Sequence, residues 1–132
     1  METPDFIDER LVQMRAEVRK VSRQRRRWLE KASFMKPTLK EDKDLHLKFL
    51  RASRYDVTKA ASNLCLFFEC KQELFGDQKL ASPISLGDLD EDDLACLNTS
   101  AMRILPNHDR SGRLVFVSEM RKMQFRHWKN QV

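Results

Sequence analysis

Apolar side chains recur in alternating steps of three and four along much of this chain. Ile7, Leu11, Met14, Val18 and Val21 form one series; Val57, Ala60, Ala61, Leu64, Cys65 and Phe68 form another. This spacing gathers the residues on one face of an α-helix, and it does not fit the period-two alternation of a half-buried strand. A chain patterned this way removes its apolar faces from water by packing helix on helix.

The local signals place the helix ends. Thr3 is a suitable cap, and Pro4 suits a first helical position because its missing N–H would have no partner there. No breaker follows until Pro37, so one helix is expected from Pro4 to about Ala32, roughly 43 Å long at 1.5 Å per residue. Phe34-Met35-Lys36-Pro37 reads as a connector. Thr38 and Glu41 have the spacing of a capping box for a helix over Leu39–Ala52, with Leu45, Phe49 and Leu50 inward. Ser53-Arg54-Tyr55 turns the chain. Asp56 caps the next helix, Val57–Phe75, and Gly76 stops it.

Ser82, Pro83, Ser85 and Gly87 mark residues 77–88 as a surface linker. A short helix is expected over Glu91–Asn98, capped by Asp88 or Asp90, with Leu94 and Leu97 buried. The texture then changes. Arg103-Ile104-Leu105 and Arg113–Ser118 read as two short strands around a turn rich in Pro, Asn, Asp and Gly. The expected fold is therefore mainly α: a small helical bundle with a long N-terminal helix, followed by a β-hairpin.

Of the 132 residues, 41% are hydrophobic, enough for a core, and 34% are charged. Cys65, Cys70 and Cys96 match no zinc or redox spacing and read as small buried side chains in a reducing compartment. The N-terminus METPDFIDER has no apolar run, and no stretch is long enough to span a bilayer. A cytoplasmic protein is expected, with any membrane contact peripheral.

Two stretches resemble the CRAL-TRIO family of lipid-binding proteins. DLHLKFLRASRYDVTKA, residues 44–60, is similar to the family's N-terminal signature. Asp44, Leu47, Phe49, Leu50, Arg51, Ala52, Asp56, Val57, Lys59 and Ala60 fall on the pattern, Tyr55 takes the aromatic position, and Lys48 and Ser53 depart from it. LPNHDRSGRLVFVSEMRKM, residues 105–123, resembles the first hairpin of the lipid-holding lobe through Asp109, Gly112, Arg113 and Val115, with Leu114 where Pro is common. The resemblance implies four segments. Residues 1–37 are a long basic helix and connector, 38–76 the N-terminal helical module, 77–100 a linker and short helix, and 101–132 the start of the lobe. It implies lipid binding or transfer, with phosphatidylinositol or another hydrophobic molecule as ligand. The pocket itself would be built by α/β structure of which this sequence holds only the beginning. Arg51 is expected to serve the fold.

The one concentrated charge feature is Arg15–Lys31, with eight Lys or Arg against two Glu in a chain of net charge +5. Arg19, Lys20, Arg23, Arg25, Arg26, Arg27 and Trp28 are the residues expected to touch an anionic membrane, transiently and through diffuse charge without a shaped pocket. The bland alternative is a solvated helix face with Trp28 in the core. Nucleic-acid contact is not expected, because aromatics that would stack bases are absent there except Trp28. A helical protein-interaction module without a ligand is the competing function, and a basic nucleic-acid-binding helix acting through Arg23–Arg27 ranks behind it.

No catalytic residue is identified. Gly76, Gly87 and Gly112 are isolated, so no phosphate-binding loop is present, and Gly-x-Ser-x-Gly is missing. His46, His108 and His127 lack metal-ligand spacing and read as surface residues. The acidic run Asp88–Asp93 lacks the EF-hand pattern and fits a helix start. No enzyme, cofactor or metal is expected, and no particular oligomeric state is implied.

Overall fold

Thr3 opens the first helix by accepting a hydrogen bond from the Phe6 N–H at 3.3 Å, with Pro4 in the first helical position. The computed structural model describes residues 2–119. Its helices are α1 (Pro4–Lys20), α2 (Arg23–Met35), α3 (Lys43–Ala52), α4 (Val57–Phe75) and α5 (Glu91–Asn98), followed by strands β1 (Met102–Ile104) and β2 (Phe116–Ser118). Short 3₁₀ turns occupy Pro37–Glu41, Asp77–Lys79 and Leu86–Asp88. The chain divides into two compact units, Met1–Pro83 and Ile84–Val132.

The helix expected over Pro4–Ala32 is two helices. Val21, with ψ 140°, and Ser22, with ψ 146°, are both extended, and α2 runs on through Phe34 and Met35, which had read as connector. Burial explains the break. α4 packs against α1, α2 and α3, and the bend lets Leu29 and Ala32 of α2 share a core with Leu11 and Met14 of α1. A straight helix would carry Leu29 and Ala32 past that surface. The broken ends are partly repaired locally: the Arg26 guanidinium donates to the Arg19 carbonyl near the end of α1, and the Ser22 carbonyl accepts from Arg25 and Arg26 N–H.

α4 is the centre of the first unit. Ala60, Ala61, Leu64, Cys65 and Phe68 are buried along it, facing Leu50 of α3 and Leu39 and Leu80 of the flanking turns. Complete burial of a side chain such as Leu64 or Phe68 contributes about 1.5–3 kcal/mol. Phe49 is only half-buried; its ring packs edge-on against Phe67 with centroids 5.6 Å apart. The capping box assigned to Thr38 and Glu41 is instead a 3₁₀ turn, and α3 begins later, capped by Asp42 through Leu45 N–H at 3.0 Å.

α3 ends in a Schellman turn. Tyr55 N–H donates to the Leu50 carbonyl at 2.8 Å and Arg54 N–H to the Arg51 carbonyl at 3.1 Å. Arg54 and Tyr55 both take positive φ, 52° and 62°, which costs non-glycine residues energy. Asp56 then caps α4 through Lys59 N–H at 3.0 Å, and Gly76 ends that helix with φ 80°.

In the second unit α5 opens with a capping box. Asp93 N–H donates to Asp90 at 2.8 Å, and the Asp93 carboxylate reaches back to the Asp90 N–H. The expectation that Leu94 and Leu97 are a buried pair does not hold, since Leu94 is half-buried and Leu97 is 54% exposed. β1 and β2 pair antiparallel, with Met102 opposite Ser118 and Ile104 opposite Phe116. β2 is shorter than the apolar run Arg113–Ser118. His127 and residues 120–123 of the second resembling stretch lie outside the described residues.

Candidate functional site

The bend between α1 and α2 forms an elbow that concentrates positive charge. Arg19, Lys20, Arg23, Arg25 and Arg27 are exposed on it, while Arg26 and Trp28 are half-buried. Their duties differ. Lys20 pairs with Glu17 at 2.6 Å. Arg26 contacts Glu30 at 2.8 Å as well as the Arg19 carbonyl. The Arg27 guanidinium lies over the Trp28 ring, 4.2 Å from its centroid, and Lys31 lies 5.6 Å from the same ring. The Arg23 and Arg25 side chains make no hydrogen bond or ion pair among the described residues.

The elbow is not only diffuse charge. A notch of about 250 Å³ opens between α1, α2 and the 37–41 turn. Val18, Leu29 and Leu39 give it an apolar lining, and Arg15, Arg19, Arg26 and Lys40 supply four cations. Glu30, Ser33 and His46 complete it. The Ser33 hydroxyl is satisfied by the Leu29 carbonyl at 2.8 Å. Arg15 Nε and Arg26 Nε are shielded from solvent without an aligned hydrogen bond. For Arg26 the nearby Glu30 oxygen is a charge contact whose angle departs from that of a hydrogen bond.

Sequence reading named Arg19 and Arg26 but missed the notch. Arg15 and Arg19 share a helix face at i, i+4, a visible signal, whereas Lys40 and His46 arrive only through the chain reversal. His46, read as a surface residue, is 5% exposed. Its Nδ1 is 2.7 Å from the Asp42 carbonyl, and since a carbonyl only accepts, Nδ1 carries the proton.

A second hollow of about 290 Å³ lies beside Trp28, between Gln24, Arg27, Glu69, Gln72 and Glu73. Two carboxylates oppose the single Arg27 there, so this hollow carries a negative balance and does not add to the elbow's positive charge. Nearby, the Lys31 and Gln72 hydrogen bonds hold the Asp77 carboxyl below the usual carboxylate range.

The residues that carry the resemblance serve the fold. Arg51 grips Glu2 with two hydrogen bonds of 2.9 Å, Tyr55 donates its hydroxyl to the same carboxylate, and the Tyr55 ring meets Phe6 edge-on at 5.0 Å. This clamp ties the start of the chain to the α3–α4 corner. Asp109 organises the hairpin turn, accepting from Ser111 and Arg113 N–H at 2.8 and 2.9 Å and from Arg113 Nε at 2.8 Å. The Arg113 backbone bond is the main reason its carboxyl is held low. Gly112, at φ 76°, permits the turn.

Only Cys65 is buried, and burial pushes its thiol up to about 11; Cys70 and Cys96 are exposed, contrary to expectation. Among the described residues no group of three or more His, Cys, Asp or Glu could hold a metal ion, and no helix is long and apolar enough to cross a membrane. No protein-family model, no curated protein and no solved structure matches the chain.

Proposed function

We propose that this chain supplies the N-terminal helical module of a CRAL-TRIO-type lipid-binding or lipid-transfer protein, and that its α1–α2 elbow makes transient contact with anionic membranes. The observation that carries the reading is the elbow itself, where five exposed cations meet around a bend. Each cation near an anionic surface contributes about 1 kcal/mol at moderate ionic strength, and the attraction decays over a Debye length. Trp28 adds an amphipathic ring beside the charge. The lipid-binding part of the reading rests on the resemblance, supported by the fold of residues 44–60. In that stretch Leu50 and Ala60 enter the core, Asp56 caps α4, and Arg51 and Tyr55 hold Glu2. These are the roles a rigid bracing module requires.

Flotation with phosphatidylserine-containing vesicles tests the membrane contact. Binding at low salt that falls steeply as salt is raised, with none to phosphatidylcholine alone, is the expected result. Absent binding, or binding indifferent to salt, would remove the elbow from the proposal.

A further inference from the structure

We propose that the notch between α1, α2 and the 37–41 turn is a binding site for a phosphomonoester carried on a short apolar stem. The site is a shaped recess; it shares Arg19 with the exposed cations of the elbow, but Arg15 and Lys40, on which its test rests, lie outside that set.

Three observations carry it. The first is charge. Arg15, Arg19, Arg26 and Lys40 converge on the recess, and Glu30, already engaged by Arg26, is the one carboxylate lining it. The surplus favours an anion of more than one charge. A phosphomonoester approaches two charges at neutral pH and offers three acceptor oxygens, whereas a carboxylate offers one charge and two oxygens. The second is unused donor capacity. Arg15 Nε, like Arg10 Nε outside the notch, is shielded from solvent and makes no hydrogen bond among the described residues; in the notch, an anion is a partner that can satisfy it. Lys40, exposed at the rim, has no side-chain partner among those residues and is free to turn toward an anion. The third is the apolar part of the lining, Val18, Leu29 and Leu39, which a bare inorganic anion would leave uncovered. At about 250 Å³ the notch is smaller than the roughly 300–1,000 Å³ typical of drug-sized ligands. It fits a head group and the first atoms of a stem, not a nucleic-acid strand.

The same chemistry could be presented by a soluble phosphate ester or by the head group of a phosphatidate lipid. Calorimetric titration of the whole chain with hexyl phosphate, and with inorganic phosphate, reads the site directly. Vesicles containing phosphatidate or phosphatidylserine at equal surface charge distinguish the sources. Saturable hexyl phosphate binding, tighter than inorganic phosphate, is the expected result. A preference for phosphatidate vesicles would assign the site to a lipid head group, and equal binding of the two vesicles would assign it to a soluble ester.

The variant Arg15→Gln/Lys40→Gln should weaken hexyl phosphate binding at least about tenfold, the scale of one lost charged hydrogen bond. The control Lys48→Gln/Lys59→Gln removes the same charge from exposed positions on α3 and α4 and should leave binding unchanged. Circular dichroism should show both variants folded, since none of these four side chains makes a hydrogen bond or ion pair among the described residues. Should the notch double variant unfold, Lys40→Gln alone, at an exposed site, serves in its place. Amide shifts on titration should cluster at residues 15–18, 33 and 39–40. No saturable binding, equal loss in both double variants, or shifts confined to residues elsewhere would overturn the proposal. Hexyl phosphate titration reads the notch in the absence of any membrane, so failure of vesicle binding and failure of the notch are distinguishable.

Discussion

At the scale of residues, the first unit is tied together by charged groups that sit outside its core. Lys31 of α2 and Gln72 of α4 both hold Asp77, drawing the 77–79 turn against the two helices. Because these bonds lower the Asp77 pKa in the folded state, their stabilisation is fully present above the ordinary carboxylate pKa of about 3.9 and is lost as pH falls through the lowered folded value. Thermal unfolding of Asp77→Asn beside the unchanged chain should therefore show a gap at pH 6 that closes as the pH falls below the ordinary carboxylate range. A gap independent of pH would mean that the carboxylate's charge contributes nothing. Glu2, held low mainly by its Arg51 hydrogen bonds, follows the same sign. His46 is buried although its sequence surroundings resemble those of a surface residue. Nothing in its neighbours distinguished it from a surface histidine, yet the carbonyl of Asp42 one turn earlier satisfies its ring nitrogen and permits burial.

At the scale of elements, the α3–α4 corner is the feature whose strain is easiest to test. Arg54 occupies the left-handed position of the Schellman turn, where glycine is usual. Relief of a left-handed conformation is worth about 1 kcal/mol, so Arg54→Gly should raise the melting temperature of the Met1–Pro83 unit by about 4–8 °C. A fall would show that Arg54's side chain contributes more than its backbone costs. The elements whose ends are set by local chemistry were legible in the sequence. α4 runs from its Asp56 cap to Gly76 as read, α1 opens at Thr3-Pro4, and α5 matches its expected span. The break at Val21-Ser22 was only faintly legible: the apolar series stops at Val21 and Arg25 interrupts it before Trp28, but no glycine or proline marks the end. Competition for the surface of α4 decides it, and that is a long-range effect. The Thr38–Glu41 spacing fits a 3₁₀ turn as well as a helix start, and Asp42 wins the cap. Leu97 was placed inward by periodicity alone, which fixes a face but not what covers it.

At the scale of the whole molecule, composition gave the net charge of +5, but only the fold places it. The bend gathers at one elbow the cations that a straight helix would have strung along its length, and the notch at its base combines residues 15 to 46. The central claim is that this placement, and not total charge, brings the protein to anionic membranes. Vesicle partitioning of two double variants tests it most directly. Arg23→Gln/Arg25→Gln removes two exposed elbow cations, and Lys48→Gln/Lys59→Gln removes two from elsewhere. At about 1 kcal/mol per cation, the elbow variant should partition roughly 30-fold more weakly to phosphatidylserine vesicles at low salt, while the other changes less than about threefold. Equal losses in the two variants would contradict the account, because net charge alone would then explain the binding.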